Sequence, residues 1–444
     1  MSPVASPSAS GPSAPKRSVA RVAGKLDLEA RWSLSNQFLQ LVSSVAGFLL
    51  LGRALGPSSY GFLAAVGGVV APFSAFTAAG ISSAVYESIV RDNEEVQRMA
   101  GTYLSLAAVS GVGLSCVAMA LGLSLLTRVN LVALSLLIVS DLLINALLTT
   151  LIAVIQATRG FIAATQSRMV TYLLRISGVA LLWGTGSVTL SNVGIMQTVV
   201  LGSLVVWNFL RLRPILDGWV RFRKFSKGQV ATVSRYALST SASNIQNDGD
   251  YVALNHYGHH SVAGLYGVAY KLVQMGLLPV HALVDSTHLD FLRMPNRSAA
   301  IRKAARLSGA GVAYGLVFIL IALAIRPLIR PLFGSEFAGA ADMIPWLAPL
   351  VMLRAASAFA LNALISARRT RSRVAANLIA AATSVLLYIL LVPEHSWRGA
   401  VTATIISEIV LAAAAWAALL FPARNETRRG GDVLVRGTTA TRQS

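Results

Sequence analysis

The sequence predicts an all-α polytopic membrane protein of about twelve spanning helices arranged as two lobes of six, and three observations carry that prediction. The 444 residues are 55% hydrophobic and only 13% charged, with a mean hydropathy of +0.64; a soluble chain carries about 25% charged residues. Apolar runs recur at 33–52, 61–89, 99–126, 131–157, 169–187, 193–210, 231–256, 262–290, 307–332, 344–366, 374–392 and 399–421. Each is long enough to cross a hydrocarbon core about 30 Å thick. The basic residues collect in alternate connections: of 38 Lys and Arg, 29 fall on the side of the two tails, five (Arg53, Arg128, Arg326, Arg330, Arg398) on the other, and four (Arg175, Arg235, Lys271, Arg354) inside the runs. That asymmetry places both termini in the cytoplasm, and the Arg- and Ala-rich composition fits a bacterial cytoplasmic membrane.

Residues 1–31 are rich in Ser, Pro and Ala and then basic (Lys16, Arg17, Arg21, Lys25, Arg31). No apolar run precedes Arg31, so they read as a disordered cytoplasmic tail rather than a signal peptide. The first lobe spans 32–210 and opens on a helix with a polar face of Asn36, Gln37, Gln40, Ser43 and Ser44. Residues 211–230 form the longest internal connection, in which Trp219, Phe222 and Phe225 can share an apolar edge while Arg221, Arg223, Lys224 and Lys227 stay wet; this suits an amphipathic segment in the cytoplasmic interface. The second lobe spans 231–421, and 422–444 is a second cytoplasmic tail. The halves echo each other: LGPSSYGFLAAVGGVVAPF (55–73) and YGHHSVAGLYGVAYKLVQMGLLPV (257–280) both carry a turn glycine (Gly56, Gly258), then Tyr-Gly (Tyr60-Gly61, Tyr266-Gly267), then a proline (Pro72, Pro279). Two parallel repeats imply two lobes related about the membrane normal, with a site between them.

A polar seam lies inside the membrane. Asn244, Asp248, Tyr251 and Asn255 recur at three- and four-residue spacing and share one helix face. Lys271 falls ~13 Å into the next segment, near the midplane. A charge there costs about 2.5–3.5 kcal/mol even on the lenient insertion scale, so it must face protein or water. Asp141, Arg354 and Glu408 also fall near mid-depth, whereas Arg175 and Asp250 lie nearer the faces. Two readings of these charges stand side by side. Arg354 with Glu408, Asp141 with Arg175, and Lys271 with Asp250 can be ion pairs that cement packing; or the cations can face a water-filled cavity and the carboxylates Asp250, Asp141 and Glu408 can serve ion coupling. Asn36 and Gln40 can be interhelical glue, and Arg53 an interfacial anchor that snorkels outward. His281, His288 and Asp290 approach the inner interface, where solvation rather than metal binding is expected. Cys116 is the single cysteine, which excludes an internal disulfide and a Cys-based metal cluster, and no cofactor is expected. The net charge of +20 is spread over the connections, so nucleic acid is not an expected partner.

The Asn/Gln-rich opening helix followed by LGRALGPSSYGFLAA, together with Asp250, Gly264-Leu265-Tyr266 and Lys271, resembles the Wzx-type flippases of the multidrug/oligosaccharidyl-lipid/polysaccharide (MOP) exporter superfamily. The resemblance covers roughly residues 30–420; His259-His260 departs from the Gly- and acid-rich turn expected there. It implies alternating-access movement of a lipid-linked oligosaccharide, without an ATPase, alongside the glycosyltransferases and polymerase of the same pathway. It further implies that Lys271, Arg354 and Arg175 meet a diphosphate, with Arg53 a further candidate. Asn36, Gln37, Gln40, Asn244, Asp248 and Tyr251 would then meet sugar hydroxyls.

Two other classes compete. A membrane glycosyltransferase or polymerase needs a sizeable external loop, and the external connections here are short. A cation or drug antiporter favours buried carboxylates with few compensating cations, against which Lys271 and Arg354 stand.

Overall fold

The computed structural model describes residues 16–92, 94–214, 223–294, 297–366 and 369–421, and every regular element among them is helical. Helix α1 (Lys16–Ser74) continues through a π-helical turn (Ala75–Ala79) into α2 (Gly80–Tyr86) and a second π turn (Glu87–Arg91). Next come α3 (Val96–Leu125), then α4 (Leu131–Val139), a third π turn (Ser140–Ile144) and α5 (Asn145–Arg159) as one crossing. Helices α6 (Phe161–Gly184) and α7 (Leu190–Leu212) complete the first six segments. The second six begin with α8 (Lys227–His256), α9 (His260–Gly276), α10 (Leu278–Arg293) and α11 (Arg297–Ile325). They close with α12 (Ile329–Phe333), α13 (Ala340–Leu347), α14 (Pro349–Ser366) and α15 (Thr370–Leu420).

Among the described residues six helices are long and apolar enough to cross a membrane. Two bent pairs add a crossing each: α9 with α10, bent by 42°, and the Ser335–Leu347 run with α14, bent by 45°. The two longest runs, Arg31–Arg91 and Arg371–Leu420, exceed one crossing and break once each. In α1 the break is Gly56 at φ 71, where glycine tolerates the left-handed region and Pro57 starts the next helix; in α15 it is Ser396 at φ 50. The remaining two of the twelve segments, α6 and α8, are long enough but more polar than the rest. They are the helices that carry much of the site.

Local signals set several ends. Asn130 Oδ1 accepts from Ala133 N (3.1 Å) at the start of α4, and Thr189 Oγ1 accepts from Asn192 N (3.2 Å) at the start of α7. Ser226 and Gln229 form a reciprocal capping box that opens α8. Helix α6 begins eight residues before the apolar run that predicted it, and in this polar first part Arg168 donates to Gln156 Oε1 of α5 at 2.7 Å. The disordered reading of 1–31 is corrected in part: the backbone is helical from Lys16. Residues 1–15, 422–444 and 215–222, which include Trp219, Arg221 and Phe222 of the expected amphipathic connection, lie outside the described residues.

The two sequence repeats meet. Gly258 has φ 81, matching Gly56 at the corresponding turn. A Cβ on Gly264 would collide with the Pro57 carbonyl, and one on Gly61 with the His260 carbonyl, so the second half of α1 and α9 touch backbone to backbone. One hydrophobic core spans both lobes here, from Phe48 and Phe62 to Tyr266, Tyr270 and Phe333. A second core lies mainly in the first lobe around Ile81, Tyr103 and Leu151, joined by Val233 of α8, and a third within the second around Phe291 and Phe359.

Candidate functional site

Two adjoining cavities share Tyr60 and Lys271. The larger, about 380 Å³, is walled by the first half of α1 (Gln40, Ser43, Ser44, Phe48), by α6 (Tyr172, Arg175) and by α7 (Met196, Gln197), and Lys271 enters from α9. Among its described lining residues the charged ones are Arg175 and Lys271, both cationic. The smaller, about 260 Å³, lies between the lobes, where Gly67 and Gly68 of α1 face Asp248 and Tyr251 of α8 and Gly267 and Gln274 of α9.

Arg175 is held loosely. Its Nη2 is 3.9 Å from Asp141 Oδ1, and that oxygen accepts a hydrogen bond from Gln197 Nε2 at 2.7 Å. Asp141 sits in the π turn Ser140–Ile144, whose extra residue re-aims the side chains of the helix, as such turns often do near functional sites. One carboxylate thereby orients two groups that line the larger cavity. Ser43 Oγ donates to the Tyr172 carbonyl (3.1 Å), which ties α1 to α6 across the same wall.

Lys271 is half-buried and lies within electrostatic range of Asp248, as does Arg354. The pairing of Lys271 with Asp250 that the sequence allowed is not made, because the Asp250 carboxylate is taken up by other groups. Asp250 is fully buried, accepting from Tyr266 Oη at 2.7 Å and from Tyr251 N at 2.8 Å. Tyr251, Tyr266 and Tyr270 form one aromatic cluster with ring centroids 5.7–5.8 Å apart. Arg354 closes it on the other side: its guanidinium lies over the Tyr270 ring, donates to Tyr270 Oη, and donates through Nε to Glu408 Oε1 at 2.7 Å.

Of the residues expected to meet substrate, Gln40, Arg175, Lys271, Asp248 and Tyr251 line the two cavities, and Asn36, Gln37, Asn244, Arg53 and Arg354 do not. Gln37 and Arg53 are exposed away from them. Asn36 is half-buried, with its Oδ1 unpartnered among the described residues. Asn244 Nδ2 donates to the Ala71 carbonyl at 2.7 Å and so fastens α8 to α1. Of the two readings of Arg354, the geometry matches the ion pair: among the described residues its polar partners are Glu408 and Tyr270. Sequence reasoning missed Tyr60, Tyr172, Gln197 and Gln274. Two carried a signal: Tyr172 is one turn before Arg175, and Gln197 is a lone amide in the apolar run GIMQTVV.

Two helical lobes flanking a polar, cation-bearing cavity within the membrane define a multi-pass membrane transporter. The sequence model of the family described as polysaccharide biosynthesis protein matches residues 31–286, and the chain belongs to that family. Its fold is that of the MOP superfamily. An inward-facing multidrug resistance MATE family transporter of that superfamily superposes with a TM-score of 0.71 at 14% identity, over 86% of this chain and 94% of its own. The outward-facing conformation of a MATE family transporter gives 0.60 at 16% identity, over 86% and 92%. A MOP superfamily transporter from Pyrococcus furiosus gives 0.56 at 15% identity, over 87% and 94%. No curated protein matches the sequence.

Proposed function

We propose that this transporter flips a polyprenyl-diphosphate-linked oligosaccharide from the inner to the outer leaflet of a bacterial cytoplasmic membrane, with both termini in the cytoplasm. The observation that carries this reading is the charge of the larger cavity: its charged lining residues, Arg175 and Lys271, are both cations. A diphosphate crossing a low-dielectric region loses hydration that must be replaced by fixed charge and hydrogen-bond donors. Arg175 offers a bidentate fork and Lys271 a mobile point charge. Gln40, Ser43, Ser44, Tyr172 and Gln197 supply neutral donors and acceptors for sugar hydroxyls, and the polyprenyl tail stays in lipid. Glycosyltransferases that build the lipid-linked sugar and a polymerase that consumes it are the partners this substrate requires. We assign Asp250, buried against Tyr266, to ion coupling; Asp141 and Glu408 instead hold the arginines.

The test measures lipid-linked sugar reaching the outer leaflet, normalised to protein in the membrane. Arg175→Gln with Lys271→Gln is expected to abolish it while the protein accumulates normally; full transport by that double variant would refute the reading. A second reading, cation or drug antiport, is favoured by Asp248 facing the smaller cavity and by the multidrug transporters among the structural neighbours. Under it an organic cation, and not a diphosphate lipid, would bind the purified protein, and Asp248→Asn would abolish that binding.

A further inference from the structure

At the end of the molecule that carries the Gly258 turn, the lobes are joined by hydrogen bonds that fix the protonation state of one histidine. The strand of chain after α3 belongs to the first lobe; the turn between α8 and α9 belongs to the second. Thr127 N donates to Asn255 Oδ1 (3.1 Å), and Thr127 Oγ1 donates to the Asn255 carbonyl (2.8 Å). Since Thr127 Oγ1 has spent its only proton, its contact with His260 Nε2 (3.3 Å) requires that nitrogen to be the donor. Asn255 Oδ1 is the acceptor for Thr127 N, so its Nδ2 faces His260 Nδ1 (3.3 Å), and that ring nitrogen must be the acceptor. The network therefore admits only neutral His260 with its proton on Nε2.

We propose that His260 is a proton-controlled latch between the two lobes, closed while its imidazole is neutral and released when it is protonated. A proton on Nδ1 would point at the Asn255 amide N–H, donor against donor. Turning the amide over relieves that contact but sets Nδ2 against Thr127 N–H, so one bond is lost either way. The charged and titratable groups acting on His260 are Arg128, on the same stretch as Thr127, and His259, its neighbour in the turn; both add positive charge beside the imidazolium. His256 also bridges the lobes, through Nδ1 to the Leu125 carbonyl (2.8 Å). Its Nδ1 donates whether the ring is neutral or charged, so that bond is indifferent to acid. The closed latch lies over the close backbone packing of Pro57 and Gly61 against Gly264 and His260, the contact that must part if this end of the cavity is to open. An unperturbed histidine titrates near pH 6.5. The closed state is therefore complete at alkaline pH and is lost as pH falls. The inference concerns conformation, and holds whatever the substrate is.

Spin labels at Ser124→Cys and Ser261→Cys, both exposed, in a Cys116→Ser background would report the separation by pulsed electron resonance on the full chain in nanodiscs. From about pH 8 to about pH 5 the ratio of separated to closed molecules is expected to rise about five-fold, the equivalent of one hydrogen bond. His260→Gln presents an amide oxygen and N–H in the roles of the neutral ring, and should stay closed at both values. His260→Lys should be separated at both, and His256→Gln and His259→Gln should keep the response. An unchanged wild-type distance distribution overturns the proposal. So does a His260→Gln protein that still responds to pH, or a response that vanishes with His256→Gln or His259→Gln instead.

Discussion

Arg175 and Arg354 are both arginines inside predicted membrane runs, and the structure gives them opposite surroundings. Arg354 has a carboxylate at 2.7 Å and a tyrosine hydroxyl, and its side chain is 14% exposed beside a Glu408 that is 2% exposed. Arg175 has its carboxylate at 3.9 Å, is 40% exposed, and lines a cavity. The difference separates two uses of one residue type. A guanidinium whose donors are satisfied by buried protein acceptors holds helices together; one whose carboxylate stands back keeps donors free for an anion. Both are stabilised against lipid, and only the second has capacity left for a ligand.

The sharpest way to break this comparison is to remove one partner of the tight pair. Glu408→Gln or Arg354→Gln should lower thermal stability severely, by about 3–5 kcal/mol, because a buried charge is left uncompensated. Replacing both by apolar residues of similar volume should recover most of that loss in a melting experiment on detergent-solubilised protein. If Arg354→Gln instead melted normally and failed to transport, Arg354 would join the substrate site.

The loose pair predicts the reverse pattern. Arg175→Gln should change the melting temperature little and weaken binding of a diphosphate lipid by roughly 10- to 100-fold, as expected for lost hydrogen bonds to a charged group. Arg175→Lys should recover only part of it, since the ammonium lacks the planar fork. Equal binding by Arg175→Gln and wild type would end the contrast.

Asp141→Asn tests whether the acid positions Arg175 and Gln197 or does more. It should reduce diphosphate-lipid affinity only a few-fold, about 1 kcal/mol, because the amide can still take one hydrogen bond. A loss as large as that of Arg175→Gln would give Asp141 a role of its own. The smallest effect belongs to Arg53→Gln: exposed and outside both cavities, it should alter stability by less than about 0.5 kcal/mol and leave transport unchanged.

Much of the fold was legible in one dimension because the membrane acts on each segment separately. All twelve segments announce themselves as apolar runs, α6 and α8 least strongly, and the turn at Gly56-Pro57 by residue type. The break at Ser396 falls inside the connection 393–398 left between two apolar runs, but the residue that makes it was not readable, since serine seldom adopts φ 50. The site was half legible. Charges inside the apolar runs had to face protein or water, which brought Lys271, Arg175, Asp141, Asp250, Arg354 and Glu408 to notice. Two of the three pairings the charges allowed, Arg354 with Glu408 and Arg175 with Asp141, are present; their tightness was not readable, nor was the Gln197 amide on Asp141, 56 positions away.

The chain alone therefore determined that this is a multi-helix membrane protein in two halves with ionisable groups inside it, because transfer to hydrocarbon is priced residue by residue and segment by segment. Only the tertiary structure decided which ionisable groups are spent on packing. The energy of a buried charge depends on ångström-scale distances to partners on other helices, and no local pattern encodes the difference between 2.7 Å at Arg354 and 3.9 Å at Arg175. The same holds for His260, whose proton is governed by an amide and a hydroxyl that chain order alone does not bring together.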